Sequence, residues 1–156
     1  MKVVLLCPEI PQNTGNIIRL CACTGATLIL VGPLGFSLSD KSLKRCGLDY
    51  HDMASIKYIE SKCAFFREYR EDKYNYYFIS KNGNKFYTEI NLNAEKETLL
   101  IFGNETQGLP PCFYLYYSEK LYRIPMIKEA RCLNLSNSVS IVLYFLLEKQ
   151  KFSGLC

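Results

Sequence analysis

Three stretches carry the residue types that do polar chemistry. They are "PEIPQNTGNIIR" (Pro8 to Arg19), "GNETQGLP" (Gly103 to Pro110) and "PMIKEARCLNLSNS" (Pro125 to Ser138). Together they hold the side-chain amides of Asn13, Asn16 and Asn134, the hydroxyls of Ser136 and Ser138, the carboxylate of Glu105, and the guanidinium groups of Arg19 and Arg131. Such a set suits orienting a reactive cofactor beside an anionic substrate. It does not suit hydrolysis by a serine triad, because no GxSxG elbow is present. His51 is the only histidine and reads as a surface or loop residue. "GNETQG" lacks the GK[ST] ending of a P-loop, and no GxGxxG opens a helix. Gly103 and Gly108 would let a flat ligand come close to the backbone, although an ordinary turn would use them equally well.

Composition removes other classes. The chain has 156 residues, enough for one domain with a substantial core. It is 49% hydrophobic, yet no apolar run approaches the ~20 residues of a membrane helix. "MKVVLLCPEI" reads as a first buried strand, since Pro8 and Glu9 cut the run off and no small-residue cleavage site follows. The eight cysteines are Cys7, Cys21, Cys23, Cys46, Cys63, Cys112, Cys132 and Cys156. They are scattered, contain no CxxC pair and mostly fall within apolar patterns. That argues against zinc and for reduced core thiols in a cytoplasmic protein. The net charge of +4 permits a polyanion without demanding one. Lys41, Lys44 and Arg45 cluster in "DKSLKRCG"; a solvated helix face is the plain reading, a phosphate-contacting patch the alternative.

The elements that must position the three loops are legible from periodicity. Strands are expected at 3–7, 27–31, 56–59, 74–80, 98–102 and 121–124. A helix should begin near Asn13 or Thr14 and stop at Gly25, which suits a left-handed C-terminal position. A short helix should run from Ser39 or Asp40 to Gly47, another across "KCAFFREYRED", and a third from Pro110 or Pro111 through "PCFYLYYS". "NGN" at 82–84 reads as a turn. Continuous apolar strands alternating with helices predict an α/β fold, a parallel sheet flanked by helices on both faces. Ligands bind such sheets beyond the carboxyl ends of the strands, where the three loops lie. In the last helix, Ser140 is the only residue from Val139 to Leu147 that is not apolar. One face can cover the sheet; the other is expected to meet a second copy of the chain, with Leu143 and Leu146 at that contact.

Taken in order, the three loops resemble the three motifs of the SPOUT superfamily of RNA methyltransferases, and among these the small single-domain tRNA 2′-O-methyltransferases that act on the wobble nucleotide, position 34. "PEIPQNTGNIIRLC" is similar to motif one, "LLIFGNETQGLP" to motif two and "RIPMIKEARCLNLSNSVSIVLY" to motif three, so the resemblance spans residues 1–156 as one domain. It implies a deep C-terminal trefoil knot with "LNLSNS" as the threaded stretch, S-adenosylmethionine bent between the knot loops, a homodimer, and the anticodon stem-loop of tRNA as substrate. It implies cofactor contacts at Ile79, Gly103, Ile124 and Cys132, mostly through the backbone, with Leu133, Asn134 and Ser136 beside them. It places Asn13, Gly15, Asn16, Arg19, Glu105 and Ser138 at the reaction centre, and it leaves Lys41, Lys44 and Arg45 for RNA phosphates. No metal and no membrane are implied.

Two positions depart from the family pattern. Cys132 stands where Ser is usual, which is harmless if the contact is through the backbone. Gln107 replaces an Arg common before "GLP", removing a cation on the RNA side. Three alternatives stay open: methylation of ribosomal RNA or another tRNA position, a knotted RNA-binding module without catalysis, and an unrelated nucleotide-binding α/β protein.

Overall fold

The structure, a computed structural model, describes residues 1–38, 54–93 and 95–156. Its strands are β1 (Lys2–Leu6), β2 (Thr27–Val31), β3 (Ile56–Ile59), β4 (Tyr74–Ile79), β5 (Lys85–Phe86), β6 (Glu97–Phe102) and β7 (Leu121–Arg123). Its helices are α1 (Pro11–Thr24), α2 (Lys62–Glu68), α3 (Pro111–Tyr116) and α4 (Leu135–Lys149). The strands form a single sheet in the order β3-β2-β1-β6-β4-β7-β5, and every neighbouring pair is parallel.

Residue parity explains why the strands read as unbroken apolar runs. Successive side chains of a strand point to opposite faces, and here both faces are covered. Val3, Leu5, Leu28, Leu30, Leu100 and Phe102 pack with Ile17, Ile18 and Cys21 of α1 and Val139, Val142, Leu143 and Leu146 of α4. Val4, Leu6, Ile29, Val31, Leu99 and Ile101 face the other way, onto Phe65 of α2, the adjacent Tyr69, and Phe113 of α3. Each such side chain contributes about 1.5–3 kcal/mol when fully buried. Burial also pushes the Cys21 thiol up to about 12, so it stays protonated and inert.

The expected α/β architecture is present, and several details differ. α1 starts at Pro11, not at Asn13 or Thr14. Proline at the first helical position has its φ preset and no N–H to satisfy. Asn13 therefore lies inside the first turn, and its side chain is released from capping. The helix does stop at Gly25, whose φ of 67° is left-handed. α4 is capped by Asn134, which accepts from the Ser136 and Asn137 amides. The turn at 82–84 leads into the two-residue strand β5, too short for a periodicity to register.

Two further expectations are overturned. Leu143 and Leu146 are fully buried within the monomer, so they belong to the core and not to a subunit contact. The outward stripe of α4 instead carries Ile141 and Tyr144, 37% and 46% exposed. Most cysteines are not core thiols either. Cys21 is buried, whereas Cys23, Cys63, Cys112, Cys132 and Cys156 are exposed, Cys7 is intermediate, and all seven are free. Short apolar windows containing Cys do not distinguish a helix's inner from its outer face. Lys41, Lys44, Arg45, Cys46, His51 and the helix expected up to Gly47 lie outside the described residues.

Candidate active site

Strand connectivity decides where the loops meet. From β1 the chain runs outward to β2 and β3; from β6 it runs the other way, to β7. β1 and β6 are neighbours, with Leu5 opposite Phe102, so the loops that follow them diverge from one crevice. Such a switch point is where open α/β sheets hold ligands.

At that crevice the first two loops clasp each other. Glu105 accepts hydrogen bonds from the backbone amides of Glu9 at 2.8 Å and Ile10 at 3.3 Å, and from Asn13 Nδ2 at 3.0 Å. In return the Glu9 carboxylate accepts from Asn104 Nδ2 at 2.9 Å and from the Thr106 hydroxyl. The third loop joins through Asn134, whose Nδ2 donates to Asn13 Oδ1 at 2.9 Å. Asn134 Oδ1 meanwhile accepts from the amide and hydroxyl of Ser136, at 2.9 and 2.7 Å. One chain of hydrogen bonds, Glu105–Asn13–Asn134–Ser136, thus ties all three loops together. Both oxygens of Glu105 are occupied by donors from its own chain, an arrangement that holds loops and leaves little capacity for a substrate proton.

Beside this clasp lies a cavity of about 410 Å³, within the range of small-molecule sites. Its lining includes Asn13, Ile79, Gly103, Glu105, Ile124, Cys132, Leu133, Asn134 and Ser138. The structure thereby gathers residues that are up to 125 positions apart in the chain (13 to 138). Ser136 is 8% exposed and stands behind the wall, acting on Asn134. Asn16 and Arg19 do not line the cavity; both lie on the exposed side of α1, while Gly15 is buried.

Several lining residues carried no sequence signal. Ser80 and Tyr114 share a hydrogen bond of 2.8 Å across 34 residues, closing one side of the cavity. Only the fold brings the end of β4 to α3. Lys81 follows on the rim, and Glu9 owes its role to a partner 95 residues away. Proximity of Glu9 to Pro8 and Pro11 signalled a loop, but not what its carboxylate would hold.

The glycine of the second loop is under the tightest constraint. A Cβ on Gly103 would come within 2.0 Å of the Gly108 carbonyl carbon and 2.4 Å of the Leu109 nitrogen. The two ends of the loop touch backbone to backbone, with Asn104 Oδ1 accepting from the amides of Gln107 at 2.7 Å and Gly108 at 3.0 Å. This fixes the wall that faces the cavity.

Residues 1–144 match the SpoU rRNA methylase family. The chain belongs to the SpoU rRNA methylase family. A tRNA (cytidine(34)-2′-O)-methyltransferase of Saccharophagus degradans is 40% identical over 154 residues, covering 98% of this chain and 97% of that one. The protein of the same name from Yersinia pestis is 42% identical over 148 residues, covering 92% and 90%. A solved structure concerned with the 2-OH methylation of C/U34 on tRNA superposes with a TM-score of 0.88 at 34% identity, covering 97% and 96%. An AdoMet-bound rRNA methyltransferase of Sinorhizobium meliloti superposes with a TM-score of 0.83 at 28% identity. This SpoU-family chain covers 95% of itself but 56% of that protein.

The cavity fits S-adenosylmethionine, the cofactor bound in the Sinorhizobium meliloti structure. Ile79, Leu109, Ile124 and Leu133 of the lining would offer apolar contacts to a flat base, and Asn13, Ser80 and Asn134 polar ones. Among the described residues, the backbone of Cys132 and Leu133 makes no hydrogen bond within the chain, leaving amides and carbonyls open to a ligand. Discrimination through main-chain groups is compatible with Cys132 in place of a hydroxyl residue. Among the described residues no cluster of three or more His, Cys, Asp or Glu is gathered as for a metal, and no helix is long and apolar enough to cross a membrane.

Proposed function

We propose that the chain is an S-adenosylmethionine-dependent tRNA 2′-O-methyltransferase acting on the ribose of nucleotide 34. The observation that carries this reading is end-to-end similarity, at about 40% identity, to relatives bearing that name. Methylation of ribosomal RNA is less favoured, because the rRNA enzyme of similar fold is nearly twice as long as the part this chain matches. A cytoplasmic location follows from the substrate.

S-adenosylmethionine, when bound, supplies an electrophilic methyl group. The protein's part is placement, since orienting two reactants can account for a large share of a barrier. Gly103, Ile124, Cys132 and Leu133 would hold the cofactor mainly through the backbone, with Ile79 packed against it. Asn13, Glu105, Asn134 and Ser136 keep the loops in register. Asn16 and Arg19 act on the RNA: the guanidinium is a bidentate clamp for the ribose and an adjoining phosphate. A pKa above about 12 makes arginine a poor proton acceptor, so clamping is its first role.

Arg19 lies outside the cavity of its own chain, which supports a homodimer in which each site is completed by the other copy. The exposed Ile141 and Tyr144 on α4, packed beside α1, are the apolar contact surface we assign to it. The "LNLSNS" stretch, tied to Asn13 through Asn134, would be the threaded segment of a trefoil knot, among the rare exceptions to unknotted chains. Residues 1–156 then make one domain. Tyr144→Glu is expected to give soluble monomer, and Leu143→Glu to give insoluble protein, by sedimentation of both variants at micromolar concentration. A Tyr144→Glu variant that stays dimeric would remove α4 from the contact.

The function is tested by mass spectrometry of nuclease-digested tRNA from cells with and without the protein. The expected result is 2′-O-methylation at position 34 that depends on the chain. Methylation appearing only in ribosomal RNA, or calorimetry showing no binding of S-adenosylmethionine, would replace this reading.

A further inference from the structure

At the far edge of the sheet, beside the cavity mouth, lies a feature that neither the cofactor nor the core uses. β5 pairs with β7 so that Phe86 stands opposite Arg123. The Arg123 guanidinium carbon sits 4.9 Å from the centroid of the Phe86 ring. The ring is still 43% exposed, and Arg123 is exposed too. Among the described residues neither Arg123 nor Lys81 has a carboxylate partner, whereas neighbouring Lys85 is paired with Glu119.

Chain geometry places this pair next to the site. All strands are parallel, so their carboxyl ends lie on one side. Arg123 immediately precedes Ile124, and the turn leading into β5 contains Lys81 and Asn82; Ile124, Lys81 and Asn82 all line the cavity. Among the described residues, Lys81 is the only basic one of that lining. The rim on this side therefore offers a half-exposed aromatic ring, a planar cation stacked on it and a second cation; the nearby Glu89 carboxylate is engaged by the Phe86 amide at 2.6 Å and Glu119 by Lys85.

We propose that Phe86, Arg123 and Lys81 form a docking platform for the substrate RNA, on which an unpaired base next to the reacting nucleotide stacks while its phosphate meets the two cations. The proposal rests on the RNA-methylating function above. Single-stranded RNA is recognised by stacking its splayed bases on aromatic rings and guanidinium planes, with cations tracking the backbone. A bland role for the cations, discouraging another strand from pairing with the β5 edge, needs no exposed ring.

The test measures binding of a tRNA anticodon stem-loop at several salt concentrations, with cofactor affinity measured in parallel. Phe86→Leu keeps apolar area but loses the aromatic face; it is expected to weaken RNA binding about tenfold with the salt slope unchanged. Arg123→Ala is expected to weaken it as much and to lower the salt slope by about one. Arg123→Lys should restore the slope but not the affinity, because the ammonium cannot stack as a plane. Cofactor affinity should stay within about twofold for all three. RNA affinity and slope within twofold of wild type in Phe86→Leu and Arg123→Ala would overturn the platform. Wild-type protein that binds no RNA would instead overturn the function, and the platform with it.

Discussion

Arg19→Ala lowers methyl transfer to tRNA by at least about a hundredfold while cofactor affinity stays within about threefold. The expectation follows from two placements. Arg19 is exposed on α1, and the cavity of its own chain is walled by Asn13, Ile79, Gly103, Ile124 and the 132–134 segment without it. Its loss should therefore spare the cofactor and remove a contact made to the RNA. A bidentate clamp matches the geometry of a phosphate or of paired oxygens, which a lysine ammonium cannot copy. Arg19→Lys should consequently recover less than about a tenth of the lost activity, where a simple charge effect would recover most of it. Labelled-cofactor turnover on an anticodon stem-loop, alongside calorimetry, reads both quantities. Near-normal turnover by the Ala variant would move the clamp elsewhere, with Asn16, one turn earlier on the same exposed face, as the next candidate.

Gly103→Ala is expected to abolish cofactor binding, or to lower it more than about a hundredfold, and to destabilise the fold by about 2–3 kcal/mol. The added methyl would fall 2.0 Å from the Gly108 carbonyl carbon and 2.2 Å from its oxygen. Backbone cannot swing aside as the end of a side chain can, so the loop must open. Opening it breaks the Asn104 hydrogen bonds to Gln107 and Gly108 and displaces Glu105 from Asn13. Gly25→Ala makes a useful control, because no atom lies within 4 Å of its would-be Cβ and only its left-handed φ is strained. Thermal denaturation with and without S-adenosylmethionine separates the two effects. A Gly103→Ala protein that binds cofactor normally would show that the loop has a second stable arrangement.

How much of this was legible beforehand depended on the range of the interaction. The six strands other than β5 are readable because each is a run of three to six mostly apolar residues. The stop of α1 was readable because a left-handed residue demands glycine. The start of α1 was misplaced by two residues because Asn and Thr are strong caps in general, while here Pro11 begins the helix and Asn13 is drawn away by Glu105 and Asn134. The burial of α4 was misjudged for a similar reason. Apolar composition shows that a helix is covered, but which of its faces meets the sheet depends on its rotation, and that placed Leu143 and Leu146 inward and Tyr144 outward.

The candidate site divides along the same line. The sequence alone determined the class of chemistry: amides, glycines, carboxylates and arginines in three ordered loops, with one histidine and no metal-binding spacing. It also determined that those loops follow parallel strands, because continuous apolar strands alternating with helices specify a parallel sheet covered on both faces. Only the tertiary structure decided what each polar group does. Asn13 lies 92 residues from Glu105 and 121 from Asn134, and hydrogen bonds over such separations have no local signature. Topology placed β6 between β1 and β4, brought Ser80 to Tyr114, engaged both oxygens of Glu105, and left Arg19 outside the cavity it is expected to serve. Short-range forces act within a few residues and can be read along the chain. The partner of a buried polar group is chosen by how distant segments pack, which only the folded molecule specifies.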